Sequence, residues 1–382
     1  MNIKIYDSIS RIKKEDWDPL TVNNVFMCYE WLKTMEDTSG YPINPLYIAV
    51  FDREKLLAAS VCYIQKRIDN VQSIDSLLLG KLQTFGVMKK FSFLPAVICN
   101  PKRGYGTHFI FSNELQQDKI LEFQNKLIDE VEVIADKEKA SVCFFNMMEK
   151  ESTLIKTLCR RGYYKTACAP LNYMDISWGS FNEYRKSLDR NHPRMSRKVS
   201  NEINRNKKSG VTIGQMQNLN GSEQRLFELL EINYGKYNKG KLSLKPDYIG
   251  RAKENFGHNA VVYAAVKKGE IIGVNLELRK GTEAFIPNIG IDHGRAGNDL
   301  TYFNLAFYEP VKNAIDRNVK RIYGGNSLYK TKGKRGYKVA RTFLFYKPAN
   351  RASDLIVRLW FVIHRILMVK KLSYIKEIQD RL

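Results

Sequence analysis

Lys330, Lys332, Lys334 and Arg335 crowd into one short stretch bounded by Tyr329 and Tyr337. Like charges this close repel one another, so the cluster either lies in water or, when partly enclosed, draws in an anion. The chemistry that suits it is transfer of a group from a negatively charged carrier. Lys332 or Lys330 would face the donor or the oxyanion of a tetrahedral intermediate, with Tyr329, Arg335 and Tyr337 lining the donor path. A general base could come from Glu277, which shares a strand face with Asn275 and Arg279, or from Asp292 at the end of the next strand. The plainer reading of both carboxylates is a solvated sheet face. The loop HGRAGND at 293–299 leads into a helix, and there Gly294 and Gly297 would let backbone amides approach an anion while Arg295 adds a full charge. That is the pattern of a phosphate seat, with an ordinary turn as its competitor.

Pro287 interrupts the strand-like run FIPNIGID and cannot donate to a sheet ladder, so it marks an edge or a bulge. A bulge would splay two parallel neighbours and leave a gap beside Asn288 for an extended ligand. Other chemistries find no support. The five histidines are scattered without ligand spacing, so no metal site is expected, and neither a phosphate-binding G-x-x-x-x-G-K-[ST] loop nor a G-x-S-x-G elbow is present.

The elements that must position these residues are legible in outline. Residues 161–163 (RGY) return at 335–337, and IAVFDREKLLAAS at 48–60 is answered by YAAVKKGEIIGVN at 263–275. Two echoes in the same order indicate two copies of one α/β unit. Strands are expected at 46–51, 56–64, 260–267, 270–279, 283–291 and 341–347. The spacing of Ile120, Phe123, Leu127, Val131 and Ile134 predicts a helix over 118–137. Pro193 suits the first turn of a basic helix capped by Asn191 or His192, with Arg194 and Arg197 on its outer side as candidate anion contacts. Another helix follows Asn298 or Asp299. The expected domains are 1–170, 171–350 with the working site, and a helical tail over 351–382.

Charge supports that asymmetry. Of the net +22, residues 1–170 carry 23 Lys+Arg against 21 Asp+Glu, whereas 171–382 carry 39 against 19. The second half is therefore the footprint for an anionic partner: a coenzyme A thioester, an acyl carrier protein, a tRNA or an anionic lipid surface. Six cysteines without a C-x-x-C spacing read as reduced thiols, and the opening MNIKIYDSIS shows no signal peptide, which together suggest a cytoplasmic protein. The stretch LIVRLWFVIHRILMV at 355–369 is too short to span a bilayer. Arg351, Arg358 and Arg365 recur every seven residues beside an apolar stripe of Leu355, Leu359, Val362, Ile366 and Val369. This suits an anionic membrane surface, packing onto the protein's own body or a dimer contact.

FMCYEWLKTME at 26–36, the strand pair after it, LTYFNLAFYEPVKNAI at 300–315, K-x-x-R-G-Y at Lys332 to Tyr337 and ARTFLFY at 340–346 together resemble the FemABX-related, BioF-like branch of the GNAT acyltransferase superfamily. The likeness extends to proteins of peptidoglycan biosynthesis or recognition and covers most of the chain. It implies tandem GNAT-like α/β domains, with mixed sheets flanked by helices and an amphipathic helix added at the C-terminus. It also implies transfer of an acyl or aminoacyl group to an amine acceptor. GNAT proteins seat the donor pyrophosphate on an R/Q-x-x-G-x-G/A loop, from which Arg295-Ala296-Gly297-Asn298 departs in spacing. Relatives that use aminoacyl-tRNA lack the loop and carry a functional lysine where Lys330 or Lys332 falls. The expectation is an N-acyltransferase without a tightly bound cofactor, using acyl-CoA, a carrier thioester or aminoacyl-tRNA. The alternative is a non-catalytic module that binds RNA or a cell-wall precursor through its basic half.

Overall fold

The computed structural model describes residues 1–41, 44–66, 74–80, 92–106, 108–219, 221–238, 241–349, 354–373 and 375. Fifteen strands among them form two mixed sheets flanked by helices. The first sheet takes β1 (Asn2–Tyr6), β2 (Pro45–Asp52), β3 (Lys55–Gln65), β4 (Ala96–Cys99), β5 (Phe109–Phe111), β6 (Ser141–Met148) and β7 (Tyr164–Ala167). The second takes β8 (Leu171–Asp175), β9 (Val211–Gln215), β10 (Ala260–Lys267), β11 (Glu270–Lys280), β12 (Glu283–Ile291), β13 (Arg321–Tyr323) and β14 (Lys338–Ala340). The last strand, β15 (Thr342–Lys347), returns to the first sheet, whose order is β1-β2-β3-β4-β6-β15-β7 with β5 against β3; the second runs β14-β8-β13-β12-β11-β10-β9.

The echoes in the sequence are echoes in space. Hairpin β2–β3 turns between the paired residues Asp52 and Lys55, and β10–β11 between Lys267 and Glu270. Each carries a bulge at the same point, between Val50 and Phe51 in one and between Ala265 and Val266 in the other. Each RGY glycine ends a helix in left-handed backbone, Gly162 at φ +79° and Gly336 at φ +86°, where a side chain would be strained. The chain beyond each glycine is matched too: a short strand in its own sheet, then a strand that crosses to the other. β8 inserts between β13 and β14, and β15 between β6 and β7, so the two units exchange strands reciprocally.

They share a core as well. Phe26 and Trp31 of the FMCYEW motif stack edge-on against Phe285 of β12, at centroid separations of 4.9 and 5.6 Å. Lys280 ties β11 to Glu30 and Asp18 of the first unit, at 3.1 and 2.8 Å.

Two local expectations are corrected. The basic helix starts at Met195, after Arg194 in left-handed backbone, and Asp189 rather than Asn191 or His192 accepts the Ser196 amide at 2.8 Å. Asn275, Glu277 and Arg279 are buried, not solvated, because the helical run 301–316 covers that sheet face: Asn275 Nδ2 donates to Leu305 O at 2.7 Å and Asn313 Nδ2 donates to Glu277 at 3.2 Å. The middle of that run, Asn304–Tyr308, is a π-helical turn. The tail helix is Asp354–Leu372; Arg351 and the residues beyond 375 lie outside the described residues.

Candidate active site

β12 and β13 run parallel for three residue pairs, Glu283–Phe285 against Arg321–Tyr323, and then part. β13 ends at Tyr323 while β12 continues to Ile291. On its other side β12 pairs Phe285 with Leu278 and Asn288 with Leu276, so Ile286 and Pro287 bulge opposite the single residue Glu277. A proline there forfeits no ladder hydrogen bond and keeps the strand bent away from β13. The opening created by this divergence is a cavity of about 890 Å³. Its walls come from both units: Asn100, Arg103 and Asn146 from the first, Asn288, Lys332 and Tyr337 from the second.

The floor is fixed by backbone fit. Gly324 and Gly325 follow β13, and a Cβ on Gly324 would lie 2.7 Å from the Tyr337 ring. Gly325 stands at φ +72°. Asn172 of the exchanged strand β8 holds the segment, its Nδ2 donating to Gly325 O at 2.7 Å and to Ser327 O at 3.1 Å. The next turn, Tyr329–Gly333, is helical and anchored by the Tyr329 hydroxyl, which lies 2.8 Å from both Pro170 O and Asn326 O and has one proton to share between them.

Lys332 projects from this turn onto the cavity wall, with its ammonium donating to the Gly324 carbonyl. The residue is 7 % exposed and is not paired with a carboxylate among the described residues. Burial without a counter-charge destabilises the cation and brings its pKa down to about 7. Arg103 also lines the cavity; sequence reading missed it because a lone arginine in a Pro-Lys-Arg-Gly loop carries no periodic signal. Its backbone is left-handed, at φ +57°. Its loop is held by Trp31 Nε1, which donates to Lys102 O at 3.1 Å, and by Asn100 Nδ2, which donates to Pro101 O at 2.9 Å. The guanidinium donates to Ser243 Oγ at 2.6 Å and faces no carboxylate among the described residues. Burial pushes its pKa down, against the weaker opposing pull of Tyr248, Tyr234 and Tyr105. Two wall residues, Asn100 and Asn288, keep buried Oδ1 atoms without a hydrogen-bond donor among the described residues.

The remaining sequence candidates lie elsewhere. Lys330 is exposed on the outer side of its turn. Glu277 is buried beneath the bulge, taking bonds from Arg279 Nε at 2.6 Å and Tyr263 OH at 3.1 Å, and burial raises its pKa. Asp292 caps the four-residue turn His293–Ala296 by accepting the Arg295 amide at 3.1 Å, and it pairs with Arg225 at 2.9 Å. Arg295 is paired with Glu270 and Asp292, and Gly297 closes the same short turn, so this loop is already neutralised. Arg335 is buried against Glu202 at 2.8 Å, with its guanidinium 4.1 Å from the Phe303 ring centroid. Arg194 and Arg197 are exposed on the basic helix, away from the cavity wall. No group of three or more His, Cys, Asp or Glu that could hold a metal ion occurs among the described residues.

Residues 8–379 match the FemAB-like family model, described as peptidoglycan biosynthesis/recognition, and the chain belongs to that family. Among solved structures it is similar to FemX, at 11 % identity and TM-score 0.60, over 93 % of this chain and 100 % of that one. It is also similar to the C-terminal domain of a candidate lysylphosphatidylglycerol synthetase from Agrobacterium fabrum, at 12 % identity and TM-score 0.54, over 93 % and 97 % of the two chains. A conserved protein of unknown function from Bacteroides thetaiotaomicron aligns at 12 % identity and TM-score 0.54, over 91 % and 100 %. No curated protein matches the sequence. At these identities the structural likeness speaks to the fold alone, two α/β units in tandem with mixed sheets flanked by helices.

Proposed function

We propose that this protein is an N-acyltransferase that works in the cavity between its two units. It moves an acyl or aminoacyl group from an activated ester to an amine, in keeping with a family described by peptidoglycan biosynthesis. The observation that carries this reading is Lys332, a cation enclosed where β12 and β13 part and left without a carboxylate partner among the described residues. The acceptor nitrogen attacks the carbonyl carbon of the donor, forming the C–N bond and a tetrahedral oxyanion. Collapse breaks the C–S or C–O bond to the carrier, and the proton shed by nitrogen ends on the departing sulfur or oxygen. Held in a buried position, the Lys332 ammonium stabilises the oxyanion more than it would in water, because a preorganised donor needs little reorganisation. Arg103 takes an anionic group of either substrate, a phosphate or a carboxylate, and the unpaired Asn100 and Asn288 oxygens accept its N–H or O–H donors. The remaining contribution is alignment of the two reactants in the bulge-opened gap.

The donor is an anionic carrier, either acyl-CoA or a carrier-protein thioester or an aminoacyl-tRNA. The basic second half favours the larger polyanion. Purified protein is incubated separately with labelled aminoacyl-tRNA and labelled acyl-CoA in the presence of an amine pool, and the transferred label is followed. Transfer from one donor, lost in Lys332→Met and kept in Lys330→Ala, is the expected result. Tight RNA binding without transfer from any donor would instead favour a binding module acting through Arg194, Arg197 and the rest of the exposed basic face of helix Met195–Lys208.

A further inference from the structure

We propose that the outer face of helix Asp354–Leu372 seats the protein on an anionic lipid surface. The inner face is already committed to the first unit. Val357, Trp360, Phe361, His364, Met368 and Leu372 are buried, His364 Nδ1 lies 2.9 Å from Thr166 Oγ1, and Phe361 stacks on Tyr346 at 5.8 Å. A helix fixed in this way cannot roll over to hide its other side. Yet that side is apolar: Leu355, Ile356, Leu359, Val362, Ile363, Ile366 and Leu367 are each between 47 and 66 % exposed. Among the described residues, 15 large apolar side chains are exposed, so nearly half of them lie on this one helix face. Such a concentration marks a contact surface, since isolated exposed apolar groups are the norm elsewhere.

Charge decides which contact. Arg358 and Arg365, seven positions apart, run along one edge of the apolar face, and Lys370 and Lys371 close its end; all four lie outside the buried face. The only carboxylate on the helix is Asp354, in its first turn, and it accepts the Tyr164 hydroxyl at 2.7 Å. A second copy of this face would bring arginine against arginine, whereas an anionic bilayer offers hydrocarbon to the leucines and phosphate to the arginines. No helix among the described residues is long and apolar enough to cross a membrane, so the geometry is that of a helix lying in the interface. The helix also lies near the cavity: the Leu77 backbone is close enough to His364 to act on its ring, and Leu77 is a wall residue. A lipid seat would therefore hold the cavity beside the surface.

The test is co-sedimentation of the full chain with vesicles of phosphatidylcholine alone and of phosphatidylcholine with about 30 mol % phosphatidylglycerol, a composition that supplies the negative surface potential. Wild-type protein is expected to pellet with the anionic vesicles. The pair Leu359→Ser and Ile366→Ser keeps net charge and touches only exposed side chains, and it should weaken binding about tenfold or more. Arg358→Gln with Arg365→Gln should weaken it by about tenfold on the anionic vesicles. If the serine variant binds as wild type does, adhesion is due to overall charge and the proposal fails. It also fails if lipid-free protein forms dimers that the serine variant lacks while neither binds vesicles. Vesicle binding is read without transfer activity, so this test and the acyltransferase reading succeed or fail separately.

Discussion

The two units start from one plan and end with different ends to their parallel strands. In the first, the carbonyl just beyond the parallel pairing, that of Phe145, is met by His108 Nε2 at 2.7 Å, and the same ring is bonded through Nδ1 to Glu151 at 2.9 Å. In the second, the corresponding carbonyl after β13, that of Gly324, is met by Lys332, and no described carboxylate answers it. The RGY arginines reverse the pattern. Arg161 lies near the surface with Asp129 at 2.7 Å, whereas Arg335 is enclosed by Glu202, Phe303 and Tyr308. At this point one copy pairs its histidine with a glutamate, and the other has locked its arginine away and left its lysine lining a cavity. The frame occurs twice, but the proline bulge and the enclosed lysine without a described carboxylate partner occur in only one copy.

Substitutions at matched positions test that contrast. The largest effect is expected at the RGY arginines. Arg335→Ala strands Glu202 in the core and should cost about 3–5 kcal/mol in denaturant unfolding. Arg161→Ala should cost about 1 kcal/mol or less, being partly solvated. Equal losses would mean that the two copies carry their arginines alike. Next, Lys332→Met should lower the transfer rate about 100-fold, the scale of one oxyanion donor, while Lys330→Ala stays within about twofold. A Lys332→Met enzyme of full activity would remove the reason to place the chemistry in the second unit.

The glycines come third. Gly336→Ala and Gly162→Ala both force a side chain into left-handed backbone, at about 1–2 kcal/mol each. The two losses should be alike, since a Cβ on Gly336 would meet Leu188 at 3.4 Å, an ordinary van der Waals contact, and one on Gly162 would meet open space.

The smallest effect is on pH dependence. Lys332 has a pKa of about 7 when folded and an ordinary lysine value when unfolded, so the unfolded chain binds more protons between the two. Stability should therefore rise as pH climbs from 7 towards 10.5, and Lys332→Met should flatten that rise when Tm is followed across the window. Transfer that depends on the ammonium should fall over the same range. An unchanged slope in the methionine variant would show that the lysine is solvated after all.

Much of the frame was legible in the chain. Both hairpins, the helix over 117–137, the kinked strand at Pro287 and the lysine-rich turn are local, and local spacing and turn chemistry report on them directly. The two echoes were visible because the same bulged hairpin and the same left-handed glycine demand similar residues wherever they occur. The site was legible only in part. Lys332, Asn288 and Tyr337 meet at one cavity, but Lys330, two positions from Lys332, points to solvent, since alternate positions on a single helical turn face different ways.

Sequence by itself determined the doubled α/β frame, the break at Pro287 and the excess of positive charge in the second half, because each is set by neighbours along the chain. Tertiary structure alone decided that β8 and β15 change sheets, that Arg103 lines the same cavity as Lys332, and which cations keep a partner among the described residues. Pairing between distant segments fixes burial and counter-charge, and those two quantities separate an enclosed lysine from a solvated one.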